Sequence, residues 1–436
     1  MSVRTAVDPF ALAASASTAA EIVDAIAELE RQKSRACATQ ASLAARLDDL
    51  VRAEHRDLRL PRAEQGRGVA SQVALARRES PARGRRLLGL AHALTDELPC
   101  TLAAMEAGAL SEWRATLIAR ETACLSRGDR AQVDELICAP DDFGQYAFHG
   151  WGDGRLVAEL RKLVSHLDPQ AVVDRRARAE SERRVSLRSA PDTMAQLSAL
   201  LPAAQGVAVF ATLARVADQL VAAGDDRCRG QIMADTLVER ITGQAAADAV
   251  PVLVNLVVSD ETLLAGGSEP AWLHGFGPLT ADAARDLVVR AHGQAVAELR
   301  RLYAVPETGA LVSMDSRARF FPEGLATFLE LRDRTCRTPW CDAPIRQRDH
   351  VVPDTADGET SALNGQGLCQ QCNLAKQGVG WRSRPITGPP GALHTVETTL
   401  PTGHTYRSTA PAAPTPSTLR PRSELEWQVR GLLIAS

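Results

Sequence analysis

The sequence lacks any apolar run that could cross a membrane. The longest stretch without a charged residue, 193–214, is interrupted by Gln196, Pro202, Gln205 and Gly206. A transmembrane helix needs about 20 consecutive, predominantly apolar residues. The N-terminal stretch ALAASASTAA is short and has no leucine-rich segment, so it does not read as a signal peptide. These absences predict a soluble chain without a membrane partner.

A framework of paired cysteines is lacking over most of the chain. Of nine cysteines, five are scattered singly through apolar or helical surroundings: Cys37, Cys100, Cys124, Cys138 and Cys228. Single cysteines of this kind behave as small apolar side chains, whereas small secreted domains carry a disulfide framework. The pattern predicts reduced, buried thiols and a cytoplasmic protein.

Net charge and lysine are also scarce. The formal net charge is −3, and the chain has only three lysines against abundant arginine. This balance does not indicate a general basic surface for nucleic acid. Residues 331–384 contain eight Arg or Lys and six Asp or Glu, which gives +2 before any metal. Contact with a phosphate backbone is therefore expected to be local.

What the sequence does contain is a pair of short cysteine spacings near its C-terminal end. Cys336 and Cys341 form one pair, and Cys369 and Cys372 form the other. Four thiolates can close a tetrahedral Zn²⁺ site with Zn–S distances of about 2.3 Å, and a closed site of this kind is structural. Zinc can supply roughly 10 to 16 kcal/mol of folding free energy to a small finger that has little core. We therefore expect structural Zn²⁺ here, and any chemistry must come from other residues.

Polar residues between and just after the cysteine pairs follow in a distinctive order. Asp349 and His350 stand in RDHVVP, Asn364 in TSALNGQGLC, and Asn373 and Lys376 in LCQQCNLAK. This order resembles the His-Asn-His (HNH) nuclease family, whose ββα-metal finger carries a general-base His, a supporting Asn and a metal-ligating His or Asn. The resemblance predicts an endonuclease that hydrolyses DNA phosphodiester bonds.

The resemblance also implies a role for each matching residue. His350 corresponds to the base that takes a proton from water, and Asp349 to a ligand of a divalent ion. Asn364 corresponds to the residue that ties the loop to the finger and orients the base. Asn373 corresponds to the second protein ligand, where many relatives have His. A neutral amide oxygen suits Mg²⁺ or Mn²⁺ as the catalytic ion.

Three basic residues are candidates for contact with the substrate, which is expected to be double-stranded DNA. Asn373 and Lys376 are three residues apart and would share a face of a helix, so Lys376 could reach a phosphate near the metal. The other two candidates are Arg348 and Arg382. Trp381 has two open interpretations, as a contact to DNA or as the aromatic plug of a small core.

A plain zinc module is the alternative interpretation. A four-cysteine cluster with polar neighbours can also stabilise a nucleic-acid-binding or structural protein that does not cut. In that case the nuclease residues would be inactive. The enzyme interpretation is favoured because Asp349, His350, Asn364 and Asn373 all occur in the expected order.

Periodicity predicts a fold that is mainly α with some α+β. Apolar residues recur at spacings of three and four from Ile22 to Leu50, which indicates a long amphipathic helix or a helix pair. The general layout resembles actinobacterial HNH proteins that carry a long helical N-terminal domain of unknown function, and this helical region is the candidate surface for self-association. The predicted segments are a flexible arm (1–19), a helical domain (20–184), its α+β continuation (185–330), the zinc-stapled HNH finger (331–384), a β-hairpin (385–408) and a Pro-rich tail with a short helix (409–436).

Overall fold

The computed structural model of the chain describes residues 16–192, 194–243, 256–264, 266–274, 276–293, 323–389 and 391–413. It confirms a mainly helical chain with small antiparallel sheets. Several predictions lie outside the described residues: most of the N-terminal arm, parts of the α+β segment, and the C-terminal tail from 414 onward with its short helix. None of the helices in the described ranges is long and apolar enough to span a bilayer.

Eight helices build the N-terminal part of the chain, residues 19–181, which we call the helical part. They are α1 (Ala19–Asp57), α2 (Val69–Ala76), α3 (Pro81–Asp96), α4 (Pro99–Glu106), α5 (Glu112–Thr122), α6 (Arg127–Cys138), α7 (Asp153–Leu167) and α8 (Pro169–Ser181). Side-chain caps mark several starts; Ser80 accepts a hydrogen bond from the backbone N–H of Arg83, and Pro81 follows at the first helical position. The buried faces of α1–α7 share one apolar core that includes Leu94, Met105 and Ile118.

The first helix is a single element, but its buried face is not the one that periodicity suggested. Ile26 and Leu43 are 61% and 58% exposed, respectively. The buried positions are instead mostly alanines, among them Ala38 and Ala41. Small side chains let α1 lie close to its neighbours, and tertiary packing thus overrides the pattern of large apolar residues.

The middle of the chain carries small sheets and two paired helices. Strands β1 (Arg184–Ser189) and β2 (Ala195–Leu200) form an antiparallel hairpin in which every residue is exposed. Helices α9 (Ala203–Ala222) and α10 (Arg229–Thr242) follow. Strands β3 (Leu256–Val257), β4 (Ala271–Leu273) and β5 (Gly277–Leu279) form a three-stranded sheet. Helix α11 (Asp260–Leu264) lies between β3 and β4 in the chain, and helix α12 (Ala281–Gly293) follows β5.

None of the nine cysteines forms a disulfide bond. Cys138 is buried, and this burial raises the pKa of its thiol to about 12. The prediction of five buried thiols holds fully only for Cys138. Cys37, Cys100 and Cys124 are partly buried, and Cys228 is exposed. It stands at the N-cap of α10, where its backbone N–H donates to Gln231 Oε1 at 2.8 Å, and a helix start of this kind lies at the surface.

The segment with the four remaining cysteines begins with α13 (Glu323–Asp333). Strands β6 (Gln347–His350) and β7 (Gly365–Leu368) then pair antiparallel, with His350 opposite Gly365. A short 3₁₀ helix, Asp354–Ala356, lies in the loop between them. Helix α14 (Gln370–Lys376) follows β7 directly. We call residues 331–381 the finger; it ends three residues before the predicted bound of 384, because Arg382 begins the next strand.

The predicted two-stranded hairpin proves to be a three-stranded sheet. Strands β9 (Thr395–Thr399) and β10 (Thr405–Thr409) pair as expected. Strand β8 (Arg382–Ile386) adds to the other edge of β9, with Arg382 opposite Thr399. An isolated hairpin is marginal in water, and a third strand gives the sheet a more stable body beside the finger.

Candidate functional site

The four predicted zinc ligands come together in the structure. Cys336 and Cys341 lie in the loop after α13, Cys369 caps the N-terminus of α14, and Cys372 lies in its first turn. Their sulfur atoms are all within 4.8 Å of one another. The Sγ–Sγ distances are 3.7 Å from Cys341 to Cys369 and 3.6 Å from Cys341 to Cys372. Thiolates bound to one zinc in a tetrahedron would lie about 3.8 Å apart, so the cluster can hold a metal such as zinc.

The thiols interact strongly with one another. Hydrogen bonds from Cys336, Cys341 and Cys372 lower the pKa of the Cys369 thiol well below its ordinary value. Hydrogen bonding from Cys341 also lowers the pKa of Cys336. Hydrogen bonding with Cys336 raises the pKa of the Cys341 and Cys372 thiols. The cluster therefore favours thiolate at two positions and thiol at the other two, and binding of a dication would require all four sulfurs to be deprotonated.

A buried ion pair fixes β7 to the end of α13, and sequence reasoning missed it. Arg332 donates to Asp333 Oδ1 at 2.7 Å and to the backbone carbonyl of Gly365 at 2.7 Å. Asp333 Oδ2 accepts from the backbone N–H of Gly367 at 2.7 Å. Both side chains are almost fully buried. The available signal was the run RDRTCR, in which alternating charges lead directly into the first zinc-type cysteine.

Helix α14 lies against one face of β6 through two polar contacts. Asn373 donates from Nδ2 to Gln347 Oε1. Lys376 donates to Asp349 Oδ2 at 2.5 Å. Residues three apart on a helix share a face, and residues two apart on a strand share a face, so the four side chains form a ladder. Gln347 was not singled out from the sequence.

Asn373 has one atom without a partner. Its side chain is 9% exposed, and its Oδ1 is buried with no hydrogen-bond partner among the described residues. A buried amide oxygen left unpaired costs about 1 to 3 kcal/mol, so such an atom is suited to accept a partner such as water or a bound ion. Together with the carboxylate of Asp349, this oxygen fits the hard donors that Mg²⁺ and Mn²⁺ prefer.

The ammonium group of Lys376 contacts other groups of the finger, whereas the prediction had it contact a phosphate of the substrate. Its side chain is 12% exposed, and besides Asp349 it contacts the backbone carbonyl of His350. Burial lowers the pKa of its ammonium group, and the Asp349 carboxylate counteracts this effect. Lys376 therefore neutralises Asp349 within the finger, where the sequence had suggested that it reaches a phosphate.

His350 faces away from that ladder. Alternate residues of a strand point to opposite faces, and His350 Nε2 lies 2.9 Å from Thr360 Oγ1 in the loop between β6 and β7. The imidazole and the Asp349 carboxylate thus have separate partners. Thr360, which is buried, is a second residue that sequence reasoning did not identify.

Asn364 holds the loop between the strands closed. Its Oδ1 accepts from the backbone N–H of Val352 at 2.8 Å, while its Nδ2 donates to the carbonyls of Val352 at 3.0 Å and Glu359 at 2.8 Å. Each polar atom of the amide is therefore used. This is the loop-tying geometry that the resemblance implied for Asn364.

The other two candidate substrate contacts, Arg348 and Arg382, do not belong to the ladder of side chains between α14 and β6. Arg348 is paired with Glu330 of α13. Arg382 is exposed at the start of β8. The structure therefore does not gather the three predicted basic contacts on one surface of the finger.

Trp381 lies between the finger and the N-terminal helices. A Cβ built on Gly68 would come within 2.7 Å of its Nε1, so the indole lies directly against the segment before α2. Gln371 of α14 donates to the backbone carbonyl of Pro81, the first residue of α3, at 3.0 Å. Of the two interpretations of Trp381, packing is the one that these contacts match. The finger rests on the helical part at two points, which we call the Gly68 contact and the Pro81 contact.

His394, in the segment before β9, is a partly buried histidine that carries no predicted role. Its Nε2 lies 2.8 Å from the carbonyl of Leu363. Burial lowers its pKa from 6.5 to about 4, and the nearby Arg332 adds to this effect. The folded state therefore holds this imidazole neutral under conditions in which the unfolded chain would protonate it.

This pKa gives a pH prediction. Because the unfolded state binds a proton that the folded state does not, stability should be full above pH 6.5 and fall as pH drops toward about 4. Between about pH 6.5 and 5.5, this histidine should lower the free energy of unfolding of the wild type by up to about 1 kcal/mol. In the His394→Gln variant this part of the decrease should be absent. Urea unfolding at the two pH values measures it, with His404→Gln in an exposed turn as control. An unchanged pH dependence in His394→Gln would contradict the assignment.

The comparisons with known proteins identify a family for most of the chain. Residues 23–333 match the model described as "Domain of unknown function (DUF222)", and the chain belongs to this family. The match ends at Asp333, before the first cysteine of the cluster. No solved structure matches the chain.

Three curated relatives are mycobacterial proteins whose names describe them as uncharacterized. Uncharacterized protein Rv3776 of Mycobacterium tuberculosis (strain H37Rv) is 34% identical over 115 residues, which are 23% of this chain and 22% of that protein. Uncharacterized protein MT2160 of strain CDC 1551 and Rv2100 of strain H37Rv are each 40% identical over 85 residues, 19% of this chain and 14% of those proteins. The chain thus spans about a fifth or less of these relatives.

Proposed function

We propose that the finger is a metal-dependent endonuclease of the HNH type that hydrolyses DNA phosphodiester bonds. One observation carries the proposal: the antiparallel β6–β7 pair, the loop between its strands and the following α14 bear Asp349, His350, Asn364 and Asn373 in the order of the HNH signature, close to four cysteines that can hold zinc. This arrangement is what a ββα-metal finger requires.

In this proposal the chain's own residues activate and position water. Neutral His350 accepts a proton from the attacking water, and Thr360 fixes the orientation of the imidazole. Asn364 keeps the loop that carries Thr360 closed on the strand pair. Rigid support of this kind matters because small displacements of reacting groups cost large factors in rate.

Asp349 and Asn373 are the residues that would hold Mg²⁺ or Mn²⁺. When bound, the ion would stabilise negative charge on the phosphoryl and leaving oxygens. Asp349 offers a carboxylate of which one oxygen contacts Lys376, and Asn373 offers its unpaired buried Oδ1. Two protein ligands and a weakly held ion are consistent with how Mg²⁺ usually binds, because it keeps several waters.

The second candidate is a zinc-stabilised module that binds nucleic acid without cutting it. The contact between Lys376 and Asp349 favours this candidate, because the ammonium group already neutralises the carboxylate that the ion would need. In the enzyme, the ion must compete with Lys376 for Asp349. A requirement for millimolar rather than micromolar Mg²⁺ would follow.

A plasmid-nicking assay separates the two candidates. Zinc-loaded protein is incubated with supercoiled plasmid alone, with Mg²⁺, and with Mn²⁺, and relaxation is followed on gels. The endonuclease should nick only when the divalent ion is added. Binding of the plasmid without relaxation under any of these conditions would favour the non-cutting module.

Asn373 provides a sharper test of the metal site. Asn373→Ala should leave zinc content and thermal stability unchanged but remove most of the nicking activity, because Asp349 alone holds the ion weakly. Excess Mn²⁺ should restore part of it. Gln370→Ala, an exposed amide three residues earlier on the same helix, is the control and should nick plasmid normally. Loss of zinc from Asn373→Ala, or full activity at low Mg²⁺, would show that the ligand roles are wrong.

A further inference from the structure

A strongly basic segment lies in the helical part of the chain, from the end of α1 to the start of α3. Residues 52–86 contain ten arginines and four acidic residues, a balance of +6 in a chain whose total is −3. The finger segment, by comparison, is only slightly basic. The largest local positive charge therefore lies outside the domain that carries the nuclease-like residues.

Six of these ten arginines are exposed and have no ion pair among the described residues. The other four are each paired with an acidic side chain, for example Arg77 with Glu112 at 2.7 Å and Arg52 with Asp48 at 2.6 Å. The exposed, unpaired set is Arg56, Arg59, Arg62, Arg78, Arg85 and Arg86. A solvated helix face usually interleaves charges of both signs. Here only Glu54 and Asp57 remain without an ion pair in the same segment, so the excess is uncompensated.

The two contacts between the finger and the helices lie inside this segment. Arg78 and Arg85 stand three residues before and four residues after Pro81, whose carbonyl accepts from Gln371 of α14. On a helix, four residues correspond to a rise of about 6 Å, so Arg85 lies one turn from the Pro81 contact. Arg62 precedes the Gly68 contact by six residues. Unpaired arginines thus flank both contacts.

The chemistry of these side chains favours a phosphate backbone. The guanidinium group presents several donors in a fork that matches phosphate oxygens, and it is weakly hydrated for a cation. Phosphate contacts fix the register of a protein on a duplex without reading sequence. A surface of arginines next to α14 would hold DNA on either side of the finger and raise its local concentration there.

We propose that Arg78, Arg85 and Arg86, extended by the arginines at the end of α1, form a phosphate-binding surface through which the helical part holds double-stranded DNA beside the finger. The proposal rests on the proposed function of the finger for its choice of DNA as the ligand. It assigns the helical part the larger share of substrate affinity, and the finger the chemistry.

The test measures DNA binding directly. Fluorescence anisotropy with a labelled 30-base-pair duplex compares wild type with the triple variant Arg78→Gln, Arg85→Gln and Arg86→Gln, in buffer without Mg²⁺ or Mn²⁺. Each phosphate contact contributes about 0.9 to the slope of log K against log salt, so the triple variant should lose about 2 to 3 units of slope. Its affinity should fall roughly a hundredfold near 0.15 M salt.

A matched triple variant controls for net charge. Arg188→Gln, Arg215→Gln and Arg240→Gln removes three exposed arginines of β1, α9 and α10, outside both contacts with the finger. It should bind duplex nearly as tightly as wild type. Equal weakening in both triple variants, or no weakening in the first, would overturn the proposed surface. Thermal unfolding and zinc content, measured on all three proteins, should be unchanged because every substituted side chain is exposed.

Two further arms test the ligand and the dependence on the finger. Arginine-dependent binding to RNA or to phosphatidylserine vesicles, without binding to duplex DNA, would overturn DNA as the ligand. Arginine-dependent duplex binding in a protein that never nicks plasmid would remove the proposed nuclease function and leave the surface intact. If the Arg78, Arg85 and Arg86 triple variant nicked plasmid and bound duplex DNA as tightly as wild type, the proposed surface would be overturned and the nuclease function would stand.

Discussion

His350→Ala should lower the rate of Mg²⁺-dependent plasmid nicking by roughly 10²- to 10⁴-fold, the range that a general base contributes. The substitution removes the one imidazole of β6 and leaves the four cysteines untouched. Zinc content and the unfolding midpoint should therefore stay at wild-type values. Initial rates of nicking, measured with saturating Mg²⁺, give the factor directly.

The partner of His350 refines this result. Thr360→Val keeps the shape of the side chain but removes the hydroxyl that lies 2.9 Å from His350 Nε2. If Thr360 orients the base, its loss should slow nicking by roughly tenfold, which is less than loss of the imidazole itself. His404→Ala in the turn between β9 and β10 is the matched histidine control. Near-normal nicking by purified His350→Ala would end the assignment of His350 as the base.

Cys372→Ala should have the largest effect on stability. It leaves three thiolates, and zinc supplies roughly 10 to 16 kcal/mol to fingers of this size, which have little apolar core of their own. The cluster of buried apolar residues around the site consists of the cysteines themselves, Leu368 and a few neighbours. The finger should therefore unfold with its zinc, while α1–α8 keep their own core.

The measurements for this prediction are metal analysis and limited proteolysis. Wild type should hold about one zinc per chain. Cys372→Ala should hold none and should be cut within residues 336–384, and excess Mn²⁺ should not restore its nicking. Cys138→Ala, a buried cysteine of the helical core outside the cluster, is the control and should retain zinc. A zinc-free wild-type protein with a protease-resistant finger would rule out the structural role of the metal.

The sequence by itself determined the features that depend on residue type and local spacing. Cysteine pairs at short spacings could be assigned to one metal cluster without coordinates, because thiolates three or five residues apart can reach the same ion. The mainly helical class followed from apolar periodicity, which is a local property of the chain. The loop-tying position of Asn364 followed from the family resemblance.

The tertiary structure decided which partners each residue has. Lys376 pairs with Asp349 because α14 lies across β6, and no spacing in the sequence specifies that crossing. The alanine face of α1 is buried because neighbouring helices approach closely there, although the larger apolar residues suggested another face. Gln347, Thr360 and Asp333 acquire their roles only through contacts between distant segments.

The position of the finger beside the arginines of residues 52–86 is likewise set by a long-range contact, between Gln371 and Pro81, which are 290 residues apart. Local pattern fixes which groups are available, but only packing of the whole chain determines which of them meet.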